Sequence, residues 1–429
     1  MPIWSELGKK DQQELLAESR ARYDGLKARS LRLDLSRGKP GPDALDFSNG
    51  ILGALEDYHA EGGIDVRNYG VVDGLPELKR LFADLLGVPA GNMIVGGNSS
   101  LTHMYNTFAM LYLFGAPDGM GDMDCRPWHR GDAAKILCPV PGYDRHFNLS
   151  ADFGAKLVNI PMEKDGPDMD EAERLAASDP SVKGIWVVPL YSNPAGSVLS
   201  REKALRLACM KAAAPDFRVF WDNAYGVHHL WEEHEAPDIL SMCCEAGYPE
   251  RAFYFFSTSK VNFPGSGVGL VATGPKTIER MKVHLKLQTI GFDKIPQLRT
   301  VRFFDGKAEN VRLHMTKLAK VLRPKFEFVM DRLDAEFGGT GLLSYERPLG
   351  GYFISVDVPE GCAKKVVEIA SEAGAALTPA GATFPYGKDP KDSNIRIAPT
   401  FPSLEDLADT LDIFCASVKL AALEKYLAV

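Results

Sequence analysis

Between Met93 and Thr273 short apolar runs alternate with helical patterns, and few architectures accept that order. The runs are Met93–Val95, Lys135–Cys138, Gly184–Val188, Arg218–Trp221, Ala252–Phe256 and Gly267–Val271. They are continuously apolar rather than alternating, as strands covered on both faces must be. Strands spaced by helices in this way predict a mainly parallel α/β sheet. Ligands of such sheets bind outside the carboxyl ends of the strands. Past Arg302 the pattern changes to a long charged helix running towards Phe337. A strand follows within Tyr352–Val358, then a helix near Cys362–Ala373 and a closing amphipathic helix from Leu404, which together read as a smaller α+β domain. Ahead of the sheet, Asp11–Arg29 reads as one exposed helix leading into a short strand within Leu31–Ser36.

A chain of 429 residues, 45% hydrophobic and 25% charged, has material for two packed domains and a sizeable pocket. Its net charge of −8 argues against a general nucleic-acid surface, which needs a basic face. The seven cysteines include an adjacent pair, Cys243 and Cys244, but no Cys-x-x-Cys, so neither a disulfide framework nor a zinc spacing is present. A reducing cytoplasm fits that usage. Met1–Ser30 is studded with charge and lacks the apolar core of a signal peptide, and no run approaches a membrane span.

Polar motifs cluster just after the apolar runs. Phe256-Ser-Thr-Ser-Lys260 precedes the small-residue run Pro264–Gly269. A lysine there either reaches solvent along its stem or is desolvated into a nucleophilic amine, as Schiff-base lysines are. Val219-Phe-Trp-Asp-Asn-Ala-Tyr225 ends a strand in a carboxylate. Such an acid can cap a helix, ligate a metal, or hold a pyridine nitrogen protonated with the following phenol on the ring oxygen. Tyr191-Ser-Asn-Pro-Ala-Gly196 is turn chemistry that also projects an amide. Val95-Gly-Gly-Asn-Ser-Ser100 leads into a helical pattern, giving either a plain N-cap or an anion site for a phosphate. Pro141-Gly-Tyr143 places an aromatic ring where it can stack on a planar group.

In chain order these pieces resemble the fold-type I pyridoxal 5′-phosphate (PLP) enzymes, specifically the aminotransferases, from Leu35-Ser-Arg-Gly-Lys-Pro40 to Asn394-Ile-Arg396. The resemblance implies a large PLP-binding domain with a mainly parallel seven-stranded sheet over residues 49–301 and a small α+β domain over 302–429. Residues 1–48 would form an N-terminal arm and part of the small domain. It makes Lys260 the Schiff-base lysine, Asp222 the partner of the pyridinium nitrogen, and Tyr225 with Asn193 the partners of the phenolic oxygen. Asn98, Ser99, Ser100 and Ser257 would hold the phosphate, and Tyr143 would stack on the ring. Tyr69 would reach the phosphate of a neighbouring subunit, implying a homodimer with shared sites. Arg396 would grip the substrate α-carboxylate, with Gly38 beside it.

Many relatives place an arginine shortly after the lysine to neutralise the phosphate, whereas Gly265–Gly269 carries no cation here. With Pro379–Pro385, Gly350-Gly-Tyr-Phe353 and Gln288–Lys294, this resembles a MocR-like subgroup that includes a divergent (type Ic) aspartate aminotransferase. The implied reaction is ping-pong transfer of an amino group from aspartate or glutamate to a 2-oxo acid such as 2-oxoglutarate. Arg145 is the first candidate for the distal carboxylate, with Lys39, Arg37 and Lys294 behind it. A PLP β-lyase or decarboxylase, or an aromatic or kynurenine-type aminotransferase, would use the same constellation. A regulatory PLP-binding module is disfavoured, since the charged opening segment is too short for a DNA-binding domain. No metal site is expected: His228-His-Leu-Trp-Glu-Glu-His234 lacks the spacing that puts two ligands on one helical face. Nor do the glycines at 265–274 open a helix, as a dinucleotide loop must.

Overall fold

A computed structural model describes residues 7–427. Residues 1–6 and 428–429, the outer ends of the first and last expected segments, lie outside the described residues. Among the described residues the central sheet has eight strands. Their order is Met93–Val95, Gly269–Ala272, Ala252–Ser257, Arg218–Asp222, Val182–Val187, Lys135–Val140, Lys156–Glu163 and Gly166–Pro167. Pairing is parallel from Ala252–Ser257 through to Lys156–Glu163. Gly269–Ala272 runs antiparallel to both neighbours. The two-residue strand Gly166–Pro167 hooks back along the edge, adding an eighth member to the seven expected. Lys156–Glu163 went unmarked in the sequence because only Ile160 in it is buried.

The continuous apolar runs follow from cover on both faces. Phe253 and Phe255 pack with helices Ser100–Leu113, Asp144–Asp152 and Pro275–Thr289. Tyr254 and Phe256, offset by one residue, face helices Pro76–Leu86, Met169–Ser178 and Arg201–Cys209. With side chains alternating between faces, every residue of Ala252–Ser257 is buried.

A second core surrounds a three-stranded antiparallel sheet of Ser344–Tyr345, Ile354–Asp357 and Asn394–Ile397. The expected early strand is Leu33–Asp34, paired in parallel with Ala375–Ala376. The first helix, Lys9–Ala28, is not exposed along its whole length as its charges suggest: Ser19, Tyr23 and Leu26 are buried. Tyr23 donates its hydroxyl to the Ile369 carbonyl at 2.9 Å. Just beyond it, Arg29 grips Asp409 of the closing helix Leu404–Tyr426 with two bonds of 2.7 Å. The long charged helix expected beyond Arg302 is Ala308–Phe337, and a separate helix, Ile295–Phe303, precedes it. Asp305 and Gly306 separate them with positive φ of 51° and 64°. The thirty-residue second helix places Val311, Met315 and Leu318 in the sheet's core and Leu322, Phe326 and Val329 in the other.

Gly374 joins the first strand to this second core: Leu33 N–H donates to its carbonyl at 2.9 Å. Its φ is 92°, and a Cβ there would overlap the Leu31 carbonyl. Gly374→Ala is expected to destabilise the protein by about 3 kcal/mol, read as a lowered midpoint of chemical denaturation.

Candidate active site

Four strands of the sheet end in polar residues at its carboxyl edge. After Val95 the chain turns through Gly96 and Gly97, with φ of 145° and 64°, into helix Ser100–Leu113. Ser99 caps that helix, its hydroxyl accepting from Leu101 N–H at 3.1 Å. Gly269 on the next strand permits this approach, because a Cβ there would lie 2.7 Å from the carbonyl atoms of Ser99. Arg218–Asp222 ends in the buried Asp222. Ala252–Ser257 runs into a single turn, Thr258–Lys260, which delivers the lysine. Beyond Val182–Val187 comes Asn193, 3% exposed.

These residues converge on a cavity of about 300 Å³, lined among others by Asn98, Ser99, Ser100, Tyr143, Asn193, Asp222, Tyr225, Ser257, Ser259 and Lys260. Arg396 reaches its edge from the strand Asn394–Ile397, donating to Asn193 Oδ1 at 3.2 Å and to Asp144 Oδ1 at 3.5 Å. Its guanidinium lies 4.7 Å over the Phe353 ring, and Gly38 abuts that ring so closely that a Cβ would overlap it. Asn193 thus spends its carbonyl on Arg396 and keeps its amide N–H₂ for the cavity.

Other expected residues stand apart. Tyr69 is 84% exposed and does not line the cavity of its own chain. Arg145 is exposed, on the face of helix Asp144–Asp152 away from the buried His146 and Phe147, so the structure does not bring it into the cavity. Lys294 is buried and donates to the Gly70 carbonyl at 3.1 Å. Lys39 lies 3.8 Å over the Phe401 ring, and Arg37 is exposed.

Sequence reasoning passed over three residues. His146 donates to Asp222 Oδ2 at 2.9 Å and stacks on Trp186 with centroids 4.2 Å apart. Its position three residues after Tyr143, hence on the same helical face, was an available signal. Ser259 lines the cavity from within the Ser-x-Ser-Lys motif, bonded to Ser257 at 3.0 Å. Tyr352 approaches Lys260 from the second core.

Burial lowers the Lys260 pKa below the ordinary lysine value, with the Asp222 carboxylate pulling the other way. A less basic amine is the form that attacks carbonyl groups and accepts protons. Burial also raises the pKa of Tyr225, and that of Tyr143, above the usual phenol value, so both remain hydroxyl donors. Asp222 Oδ1 is buried with no partner among the described residues. An orphaned carboxylate oxygen is costly, and it calls for a donor supplied by a ligand.

The model of the aspartate amino-transferase family matches residues 7–429. This chain belongs to that family. An aspartate aminotransferase of Corynebacterium glutamicum is 44% identical over 408 residues, 94% of this chain and 93% of the relative. A crystal structure of an aspartate transaminase from that organism matches with a TM-score of 0.94 at 42% identity, covering 99% of each chain. An alpha-aminoadipate aminotransferase of Thermus thermophilus, solved with N-(5′-phosphopyridoxyl)-L-leucine, has the same fold, with a TM-score of 0.74 at 20% identity over 95% of this chain and 98% of that one.

The protein is therefore a PLP-dependent transaminase, acting on amino acids and 2-oxo acids. Its residues fit the cofactor on two observations. The orphaned Asp222 Oδ1 matches a protonated ring nitrogen. The hydroxyls of Ser99, Ser100, Ser257 and Ser259, gathered at a helix N-terminus, match a phosphate. Among the described residues no helix is long and apolar enough to cross a membrane. Gly269→Ala would push Ser99 and Ser100 out of place, and is expected to weaken PLP binding at least tenfold. Titration of the cofactor's visible absorption, with circular dichroism as the control for folding, measures this.

Proposed function

We propose that the transaminase uses aspartate or glutamate as donor and 2-oxoglutarate as acceptor, in the manner of the MocR-like, type Ic aspartate aminotransferases. The observation that carries the reading is the single cavity in which a desolvated amine, an orphaned carboxylate oxygen and, at the edge, a guanidinium meet. The 44% identical relative named as an aspartate aminotransferase supports the choice of donor.

In this reading Asp222 holds the ring nitrogen protonated, and His146, braced on Trp186, keeps that carboxylate aimed. Tyr225 and the Asn193 amide donate to the phenolic oxygen. Tyr143 covers the ring. Among the described residues Lys260 is the only lysine or arginine lining the cavity, so hydroxyls and helix N-terminal amides hold the phosphate, Asn98 with them. When bound, PLP supplies an electron-withdrawing ring that takes up the electron pair left by a departing Cα proton. Lys260 Nζ takes that proton and returns it. Arg396, stacked on Phe353, pairs with the α-carboxylate through its fork. Arg37 and Lys39, exposed like Arg145 but flanking the Gly38 that abuts the Arg396–Phe353 stack, are the cations to test for the distal carboxylate.

The test is the half-reaction. Aspartate and glutamate added singly to the purified holoenzyme are expected to change its visible absorption and release one equivalent of 2-oxo acid, with parallel lines in double-reciprocal plots. Faster conversion of aromatic amino acids, or ammonia release without an acceptor, would overturn it.

The homodimer belongs to the same reading. Tyr69, Tyr105, Phe114, Val283, Leu287 and Ile290 are large apolar side chains left between 49% and 85% exposed, several of them on helices Ser100–Leu113 and Pro275–Thr289. Large apolar side chains left exposed in this number on two helices that pack together favour an interface. Leu287→Asp, at a side chain 85% exposed, is expected to convert the dimer to monomer in sedimentation without unfolding it.

A further inference from the structure

The segment Gly350–Phe353 contributes Phe353 to the Arg396 stack, but Tyr352 has no part in the reading above. Gly350 and Gly351 let this segment dock on Tyr191, since a Cβ on either would come within 2.7 Å of that side chain. Gly351 N–H donates to the His228 carbonyl at 3.1 Å. Docking sets the buried Tyr352 beside Tyr225, with ring centroids 6.0 Å apart and planes 26° from parallel. Lys260 Nζ then lies 5.2 Å from the Tyr225 centroid and 5.8 Å from that of Tyr352. Both distances fall where a ring's quadrupole attracts an ammonium.

The other titratable or charged groups around the amine are Asp222, Tyr143, the Arg396 guanidinium at the cavity's edge and His228, whose Nε2 bonds the Lys260 carbonyl at 3.2 Å. Burial brings the pKa of His228 down to about 3, so it stays neutral near pH 7. The buried phenols stay neutral as well. Apart from Asp222, the two rings are therefore what favours the charged amine.

We propose that Tyr352 is a positioning residue for transamination: its ring and that of Tyr225 form a paired aromatic wall that stabilises the Lys260 ammonium in a site that otherwise expels charge. The role rests on Lys260 being the amine that carries the Cα proton. Since Tyr352 belongs to the second core, the stabilisation exists only when that core is docked against the sheet.

Removing the ring makes the ammonium less stable, so the neutral amine is available at lower pH. In the holoenzyme, Tyr352→Leu is expected to move the acid limb of the kcat–pH profile down by about half a pH unit, while Tyr352→Phe leaves it in place. The pH midpoint of the resting visible absorption should move the same way without turnover. Phenylalanines of increasing fluorination at position 352 keep the shape while draining the ring's negative face, and should move both readouts down stepwise. They decide the matter even if the leucine variant does not fold. Unmoved readouts in the fluorinated series, or a Phe variant displaced as far as the Leu variant, would overturn the proposal. If borohydride reduction attaches the cofactor to a lysine other than 260, the reading of Lys260 fails instead.

Discussion

A carboxylate and an amine are set a short distance apart at the end of a sheet that is apolar on both faces, and taking such groups out of water is costly unless each finds partners. Much of the local structure answers that cost. One oxygen of Asp222 is met by His146, which cannot swing away because it lies flat on Trp186. The other oxygen has no partner among the described residues. The amine has lost basicity to burial and lies against two aromatic faces. A site left deliberately short of partners in this way binds strongly to a planar, charged ligand that brings them.

The second core completes what the sheet begins. Arg396, Phe353 and Tyr352 come from its strand Asn394–Ile397 and from the segment that docks on Tyr191, while Tyr191 and Tyr225, from loops of the sheet, are packed within that core. The aromatic side chains therefore hold the two cores together and also enclose the site. A packing defect in that seam would change the chemistry before it changed the fold.

Much of this was legible in the sequence. The runs around Phe255 and Phe220 announced strands covered on both sides, and the strand-end positions of Asp222, Asn193 and Lys260 announced an edge where ligands bind. What stayed hidden depended on contacts distant in sequence. His146 is a histidine on an amphipathic helix until Asp222, 76 residues away, is seen to bond it. The burial of Tyr23 under surrounding charge becomes visible only with Ile369 in place. Lys156–Glu163 lacks the apolar run because its place near the sheet's edge does not demand one. Arg145 looked suitable by spacing from Tyr143, but two residues along a helix is a turn of about 200°, enough to aim it at solvent.

The helix Ala308–Phe337 belongs to both cores, clamped by Val311, Met315 and Leu318 in one and by Leu322, Phe326 and Val329 in the other. Within its second half lies Pro324, which has no N–H to give to the carbonyl one turn back. That missing bond falls inside the stretch held by the second core, between Leu322 and Phe326, where packing on both sides of it holds the helix in line. A single rod threaded through both cores makes the position of the guanidinium and of the aromatic wall, relative to the amine, a matter of where along its length each core takes hold.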